Sequence, residues 1–162
     1  MLDTKPLLLG KGFPKIKRDS LEILQVNLGY KCNLSCTHCH VNAGPKRFEQ
    51  MNYEDVNAVL EFIRRNRVKV LDLTGGAPEL NPNFKYLVKK ARSSGVEVVD
   101  RCNLTVLLEP GFEKLSQFLA EHQVTITASL PCYSEQKVDR QRGRGVFLDS
   151  ISALQNLNSF GY

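Results

Sequence analysis

Apolar positions recur along this chain with two alternating periods. Residues 21–28 (Leu-Glu-Ile-Leu-Gln-Val-Asn-Leu) alternate apolar and polar side chains, the period of a half-buried strand. After a turn at Ala43-Gly44-Pro45 the spacing changes. Val56, Val59, Leu60 and Ile63 fall at i, i+3, i+4 and i+7, one face of a helix that Asn52 caps and that carries Glu54 and Asp55 in its first turn. Arg64, Arg65, Arg67 and Lys69 gather near its end, where cations suit the helix dipole. Residues 68–73 predict a second strand, Phe84, Leu87, Val88 and Ala91 a second helix closed by Gly95, and residues 96–100 a third strand. Leu115, Phe118 and Leu119 predict a third helix with His122 as a capping residue near its end, and residues 124–130 a fourth strand. Val146, Ile151, Leu154 and Leu157 predict a last helix. The polar residues 134–145 read as a loop, and residues 1–20, basic and broken by Gly10, Gly12 and Pro14, as an irregular N-terminal lead-in.

Strand and helix alternating four times over short links imply an α/β fold, with a parallel sheet and right-handed crossovers. A full eight-unit barrel of the TIM type takes about 250 residues, or roughly 31 per unit, so residues 21–162 hold about four units. An open four-stranded parallel sheet leaves its fourth strand uncovered. The expectation is therefore a lead-in at 1–20 and an incomplete core domain at 21–162, part of a partial TIM barrel.

Composition narrows the function classes. With 42% hydrophobic and 24% charged residues the chain is ordinary for a soluble protein. No apolar run approaches the ~20 residues of a membrane helix, and Leu7-Leu8-Leu9 is too short for a signal-peptide core. A cytoplasmic location without membrane partners is expected. Net charge is +5, but the basic residues are dispersed and no aromatic run accompanies them, so nucleic acid is not an expected partner. Five cysteines without a secretion signal argue for metal binding or reactive thiols, and against a disulfide framework.

Three of those cysteines, Cys32, Cys36 and Cys39, form a CxxxCxxC array directly after the first strand. A [4Fe–4S] cluster normally takes four cysteines, so three leave one iron open to another ligand. The competing reading is a structural zinc site built from the same three thiols and His40. Structural zinc sites usually draw ligands from separate segments, and four ligands within nine residues would crowd a tetrahedron. The cluster is the favoured occupant.

With Gly75-Gly76 just past the second strand, this array resembles the radical S-adenosylmethionine (SAM) enzymes, whose core is a partial TIM barrel. The resemblance implies that SAM chelates the open iron and that an electron donor such as ferredoxin or flavodoxin drives its reductive cleavage to a 5′-deoxyadenosyl radical. It implies SAM contacts at His38 near the adenine, at the backbone carbonyls of Gly75 and Gly76 for the amino group, and at Asn103 and Ser129 for the ribose or carboxylate. The segment Asp139-Arg140-Gln141-Arg142-Gly143-Arg144-Gly145 resembles the family's Arg-Gly segment, with Arg142 as a carboxylate partner. The alternative for that segment is a flexible basic loop. Where the family usually has Glu after the two glycines this chain has Ala77-Pro78-Glu79, which leaves Glu79 without an assigned role.

Finer likeness lies in His40-Val41-Asn42-Ala43-Gly44-Pro45-Lys46-Arg47, in Asp100-Arg101-Cys102-Asn103-Leu104-Thr105 and in Ser129-Leu130-Pro131-Cys132-Tyr133. These segments resemble the arsenosugar-biosynthesis radical SAM proteins. That implies a small-molecule substrate, a methylated arsenical that receives the 5′-deoxyadenosyl group, and further barrel units in a C-terminal half. Cys102 and Cys132 then become candidate substrate thiols, since soft thiolates prefer soft partners; the alternative is two small buried residues. The rival functions are a non-catalytic cluster-binding fragment and a zinc-bound structural module.

Overall fold

The computed structural model describes residues 3–14, 17 and 19–162. Its four strands are β1 (Ile23–Asn27), β2 (Val70–Thr74), β3 (Glu97–Asp100) and β4 (Thr125–Ile126), all parallel and in chain order across one sheet. Between them run α2 (Tyr53–Asn66), α3 (Phe84–Ser93) and α4 (Leu115–Glu121), and after them α5 (Glu135–Arg142) and α6 (Val146–Ser159). This is the α/β arrangement that the two periods imply.

Register decides what each sheet face does. Leu24 pairs with Leu71 and Leu71 in turn with Val98, and Val26 pairs with Leu73. Side chains alternate faces along a strand, so these residues form one apolar face, packed with Val56 and Ile63 of α2 and Leu87 and Val88 of α3 in the main core. Gln25, Asp72 and Val99 share the next register row and turn to the opposite face. That face carries polar side chains among apolar ones, and on it Gln25 and Arg101 both donate to the Asp72 carboxylate, at 2.8 Å and 2.8 Å.

Local sequence explains the long helices. Asn52 Oδ1 accepts from Asp55 N–H at 2.9 Å while Asp55 Oδ2 accepts from Asn52 N–H at 3.1 Å, a reciprocal capping box. α2 stops at Arg67, which adopts a left-handed conformation. On α3, Phe84, Leu87, Val88 and Ala91 are all buried, as their spacing predicts.

Three expectations need correction. The lead-in contains a short helix, α1 (Lys5–Leu9), because Pro6 sits in its first turn, where the missing N–H is no loss; residues 1, 2, 15, 16 and 18 of that lead-in lie outside the described residues. Residues 135–142, read as loop, form α5. Only Val138 and Arg142 are buried on it, so no hydrophobic period announces the helix. β4 is two residues long rather than seven, although Thr127 N–H still donates to Asp100 O at 2.8 Å and Ser129 N–H to Cys102 O at 3.1 Å. On α6 the buried stripe is Val146, Ser150, Ala153 and Leu157, with Ile151 and Leu154 at its margin.

Candidate functional site

All four strands point their C-terminal ends at one mouth, and the cysteine loop folds over it. Its course is set by backbone bonds: Tyr30 N–H to Glu49 O at 2.9 Å, Gly44 N–H to Tyr30 O at 3.1 Å and Cys32 N–H to Gly44 O at 3.2 Å. The Arg47 guanidinium grips Glu49 and lies 4.7 Å over the Tyr30 ring, closing the loop from outside. Thr37 N–H reaches Gln141 O at 2.9 Å, which ties the same loop to α5.

The tip of β2 presses against this loop. Gly76 N–H donates to Gly29 O and Ala77 N–H to Lys31 O, both at 2.9 Å. A Cβ on Gly75 would stand 2.6 Å from Gly29 O, and one on Gly76 would overlap the Lys31 carbonyl. Glycine is required at both positions by main chain approaching main chain. Among the described residues, neither the Gly75 nor the Gly76 carbonyl accepts a hydrogen bond.

Between these parts lies a cleft of about 420 Å³. Cys32, Cys36 and Cys39 line it as free thiols, Cys32 buried and the other two half-buried. His38 and His40 line it too, both exposed. Gly75, Gly76, Asn103, Ser129 and Arg142 complete the wall, with Ser129 exposed and Arg142 only 6% exposed. No carboxylate is among the described residues that line the cleft, whereas two arginines, Arg101 and Arg142, are.

Polar contacts within the wall are dense. Asn103 Nδ2 donates to Cys32 Sγ at 3.4 Å and to Asn33 Oδ1 at 2.6 Å, and its Oδ1 accepts from Arg142 Nη2 at 2.6 Å and Thr105 Oγ1 at 3.3 Å. Arg142 Nη1 also donates to the Ser129 carbonyl. Ala43 N–H donates to Cys39 Sγ at 3.3 Å. Burial pushes the Cys32 thiol up from its ordinary range, so a cation beside it is needed to hold it as thiolate.

The two remaining cysteines behave differently from the expected thiol pair. Cys102 lies on the same side of its strand line as Asp100, facing the helices, and is 0% exposed; Arg101 between them faces the cleft. Cys132 is half-buried, and neither thiol lines the cleft. Below the cleft, Glu79, Asp100 and Cys102 bring their side-chain termini within 4.8 Å of one another. Glu79 Oε1 accepts from Asn103 N–H at 2.8 Å, while Glu79 Oε2 and both Asp100 oxygens have no partner among the described residues. Burial pushes the Glu79 carboxyl up to about 7 and Asp100 well above the usual range, and it raises the Cys102 thiol as well. His122 sits at the end of α4 with its Nδ1 2.9 Å from the Phe118 carbonyl, as a capping residue would.

Several residues of the site carry no separate signal in the sequence. Asn33 and Thr105 matter through contacts across 72 positions. Asp72 and Gln25 were visible only as the polar members of alternating strands. Arg101 could have been found from parity, since it is the one basic residue between two core-facing positions at the end of β3.

Residues 26–162 match the model of the radical SAM superfamily. The chain belongs to that superfamily. Members of this radical SAM family bind a [4Fe–4S] cluster and SAM, and the donor set here fits both: three free cysteines line one cleft together with Gly75 and Gly76, whose carbonyls have no hydrogen-bond partner among the described residues. Among its relatives is the mycofactocin maturase MftC of Mycobacterium tuberculosis, 30% identical over 135 residues that cover 83% of this chain and 34% of the relative. Streptococcus suis SuiB bound to S-adenosylmethionine has the same fold, with a TM-score of 0.69 at 18% identity over 88% of this chain and 32% of SuiB. SuiB bound to its precursor peptide SuiA superposes equally, at 0.69 and 19% identity over 88% of this chain and 31% of that one. This radical SAM chain thus spans about a third of the length of the relatives it matches.

Proposed function

We propose that this chain forms the cofactor-binding part of a radical SAM enzyme, in which Cys32, Cys36 and Cys39 hold three irons of a [4Fe–4S] cluster and SAM lies between them and Gly75-Gly76. The observation that carries this reading is the convergence of three free thiols and two unpartnered carbonyls on one cleft of about 420 Å³. Gly75 and Gly76 offer carbonyl oxygens to an ammonium group, Ser129 its hydroxyl and Arg142 a guanidinium to a carboxylate, and His38 a ring to the adenine. Together the reduced cluster and SAM supply a 5′-deoxyadenosyl radical to a bound substrate. The residues around them bind, orient and exclude water.

For the substrate, the segments at 100–105 and 129–133 support transfer of the 5′-deoxyadenosyl group to a methylated arsenical. With Cys102 sealed on the helix side, recognition by a Cys102–Cys132 thiol pair is not part of this proposal. No described helix is long and apolar enough to cross a membrane; we place the enzyme in the cytoplasm with a ferredoxin- or flavodoxin-type reductant.

Anaerobic reconstitution followed by iron and sulfide assay, then reduction with SAM present, tests the reading. About four irons and four sulfides per chain, with 5′-deoxyadenosine formed on reduction, are the expected results. A colourless protein holding stoichiometric zinc overturns it. A brown protein that leaves SAM intact restricts the chain to cluster binding. Adding a methylated arsenical and looking for a 5′-deoxyadenosyl adduct tests the substrate, with the bound precursor peptide of SuiB marking the class that would replace it.

A further inference from the structure

We propose that Asn103 is a positioning residue that raises the reduction potential of the cluster by donating an N–H to Cys32 Sγ, rather than a contact to SAM. The proposal rests on the cluster assignment above. Its first support is valence. A side-chain amide has two N–H donors and one oxygen with two lone pairs, and in Asn103 all are used: Cys32 Sγ and Asn33 Oδ1 take the donors, while Arg142 Nη2 and Thr105 Oγ1–H fill the oxygen. Nothing is left over for SAM.

The second support is that the amide cannot turn round. Arg142 only donates, so the atom of Asn103 that faces it at 2.6 Å must be the oxygen. At the far end, Glu109 Oε1 lies 2.8 Å from Asn33 Nδ2. An ionised carboxylate only accepts, so Asn33 must point its NH₂ at Glu109 and its oxygen at Asn103. Both ends of the relay demand the same orientation, and Thr105 fits between them as donor to Asn103 Oδ1 and acceptor from Asn33 Nδ2 at 3.0 Å. The backbone of Asn103 is held separately, by Glu79 Oε1 at 2.8 Å. The N–H that meets Cys32 Sγ is therefore imposed by charged groups on either side, and the buried Arg142 polarises it further.

Hydrogen bonds to cluster sulfurs withdraw charge and favour the reduced state. Among the described residues, Cys39 receives such a bond only from a backbone N–H, that of Ala43. Asn103 is thus the side chain through which this chain sets the potential at Cys32.

The test is an EPR-monitored redox titration of the reconstituted cluster without SAM, on protein labelled with ¹⁵N in the asparagine amide. Asn103→Leu is expected to lower the reduced-to-oxidised ratio at a fixed potential about tenfold, which is about 59 mV for a one-electron couple. It is also expected to remove a ¹⁵N hyperfine coupling seen in the parent. Glu109→Gln, which leaves Asn103 in place but releases Asn33 to turn, should move the potential the same way by a smaller amount. Unchanged potential in a variant with full cluster content overturns the proposal, and so does a parent cluster with no asparagine coupling. If Asn103→Leu takes up no cluster, the parent's coupling and the Glu109→Gln shift decide. A SAM affinity that falls at unchanged potential returns Asn103 to the role of SAM contact, and a parent that takes up no cluster overturns the assignment beneath both.

Discussion

Glu79, Asp100 and Cys102 bury two carboxyl groups and a thiol within reach of one another, and three of the carboxyl oxygens have no partner among the described residues, which makes the cluster costly. The Glu79 carboxyl is raised from 4.5 to about 7 by burial, and Asp100 is raised in the same direction. A raised acid favours the protonated folded state, so this part of stability is full below the unfolded value near 4.5 and is lost as pH rises toward about 7. The unfolding free energy of the reduced chain, from denaturant titrations, should fall over that window by up to about 1.4 kcal/mol per pH unit and proton, and Glu79→Gln should flatten the curve. At Gly76, where a Cβ would overlap the Lys31 carbonyl, Ala should cost roughly 1–3 kcal/mol in a thermal melt and reduce iron uptake. By contrast Asp72→Asn should cost about 1 kcal/mol or less, because the Arg101–Asp72 pair keeps Arg101 about half exposed. The cysteine array was legible in the sequence because three identical ligands at short spacing have few other uses. For Cys102 the two readings, substrate thiol or small buried residue, separate only when faces are counted along its strand from Val98 through Asp100, which places it with the core.

At the scale of elements, legibility followed amphipathicity. α3 buries Phe84, Leu87, Val88 and Ala91, α2 buries Val56 and Ile63, and β2 buries Leu71 and Leu73, at spacings that are written in the chain. α5 buries one apolar residue, Val138, and is held by polar bonds that no periodicity reveals. Asp139 of this helix accepts from Gly145 N–H at 2.6 Å and from Phe147 N–H at 3.0 Å, so it caps the start of α6 from outside. Asp139→Ala should therefore destabilise the chain by about 1–2 kcal/mol in denaturant unfolding, on the scale of other lost caps. The same substitution should loosen the cysteine loop, whose Thr37 is anchored on Gln141, and this should appear as faster loss of iron to a chelator.

Across the whole molecule one face of the four-stranded sheet packs under the helices, and the opposite face carries Gln25, Asp72 and Arg101. Strand order and parallel pairing were readable because alternation of strand and helix permits little else. The length of β4 was not, since the bonds of Thr127 and Ser129 depend on where β3 ends. Hydrogen exchange should divide the sheet accordingly, with amides of β2, paired on both sides, exchanging more slowly than those of residues 125–129. The pressing of Gly75-Gly76 into Gly29 and Lys31 has a consequence beyond packing. It makes the interval between the thiols and the carbonyl pair a property of main-chain geometry, as fixed as the spacing of two jaws on a common hinge pin. On the proposed cofactor assignment, substitutions of side chains around the mouth would leave that interval unaltered, because no side chain sets it.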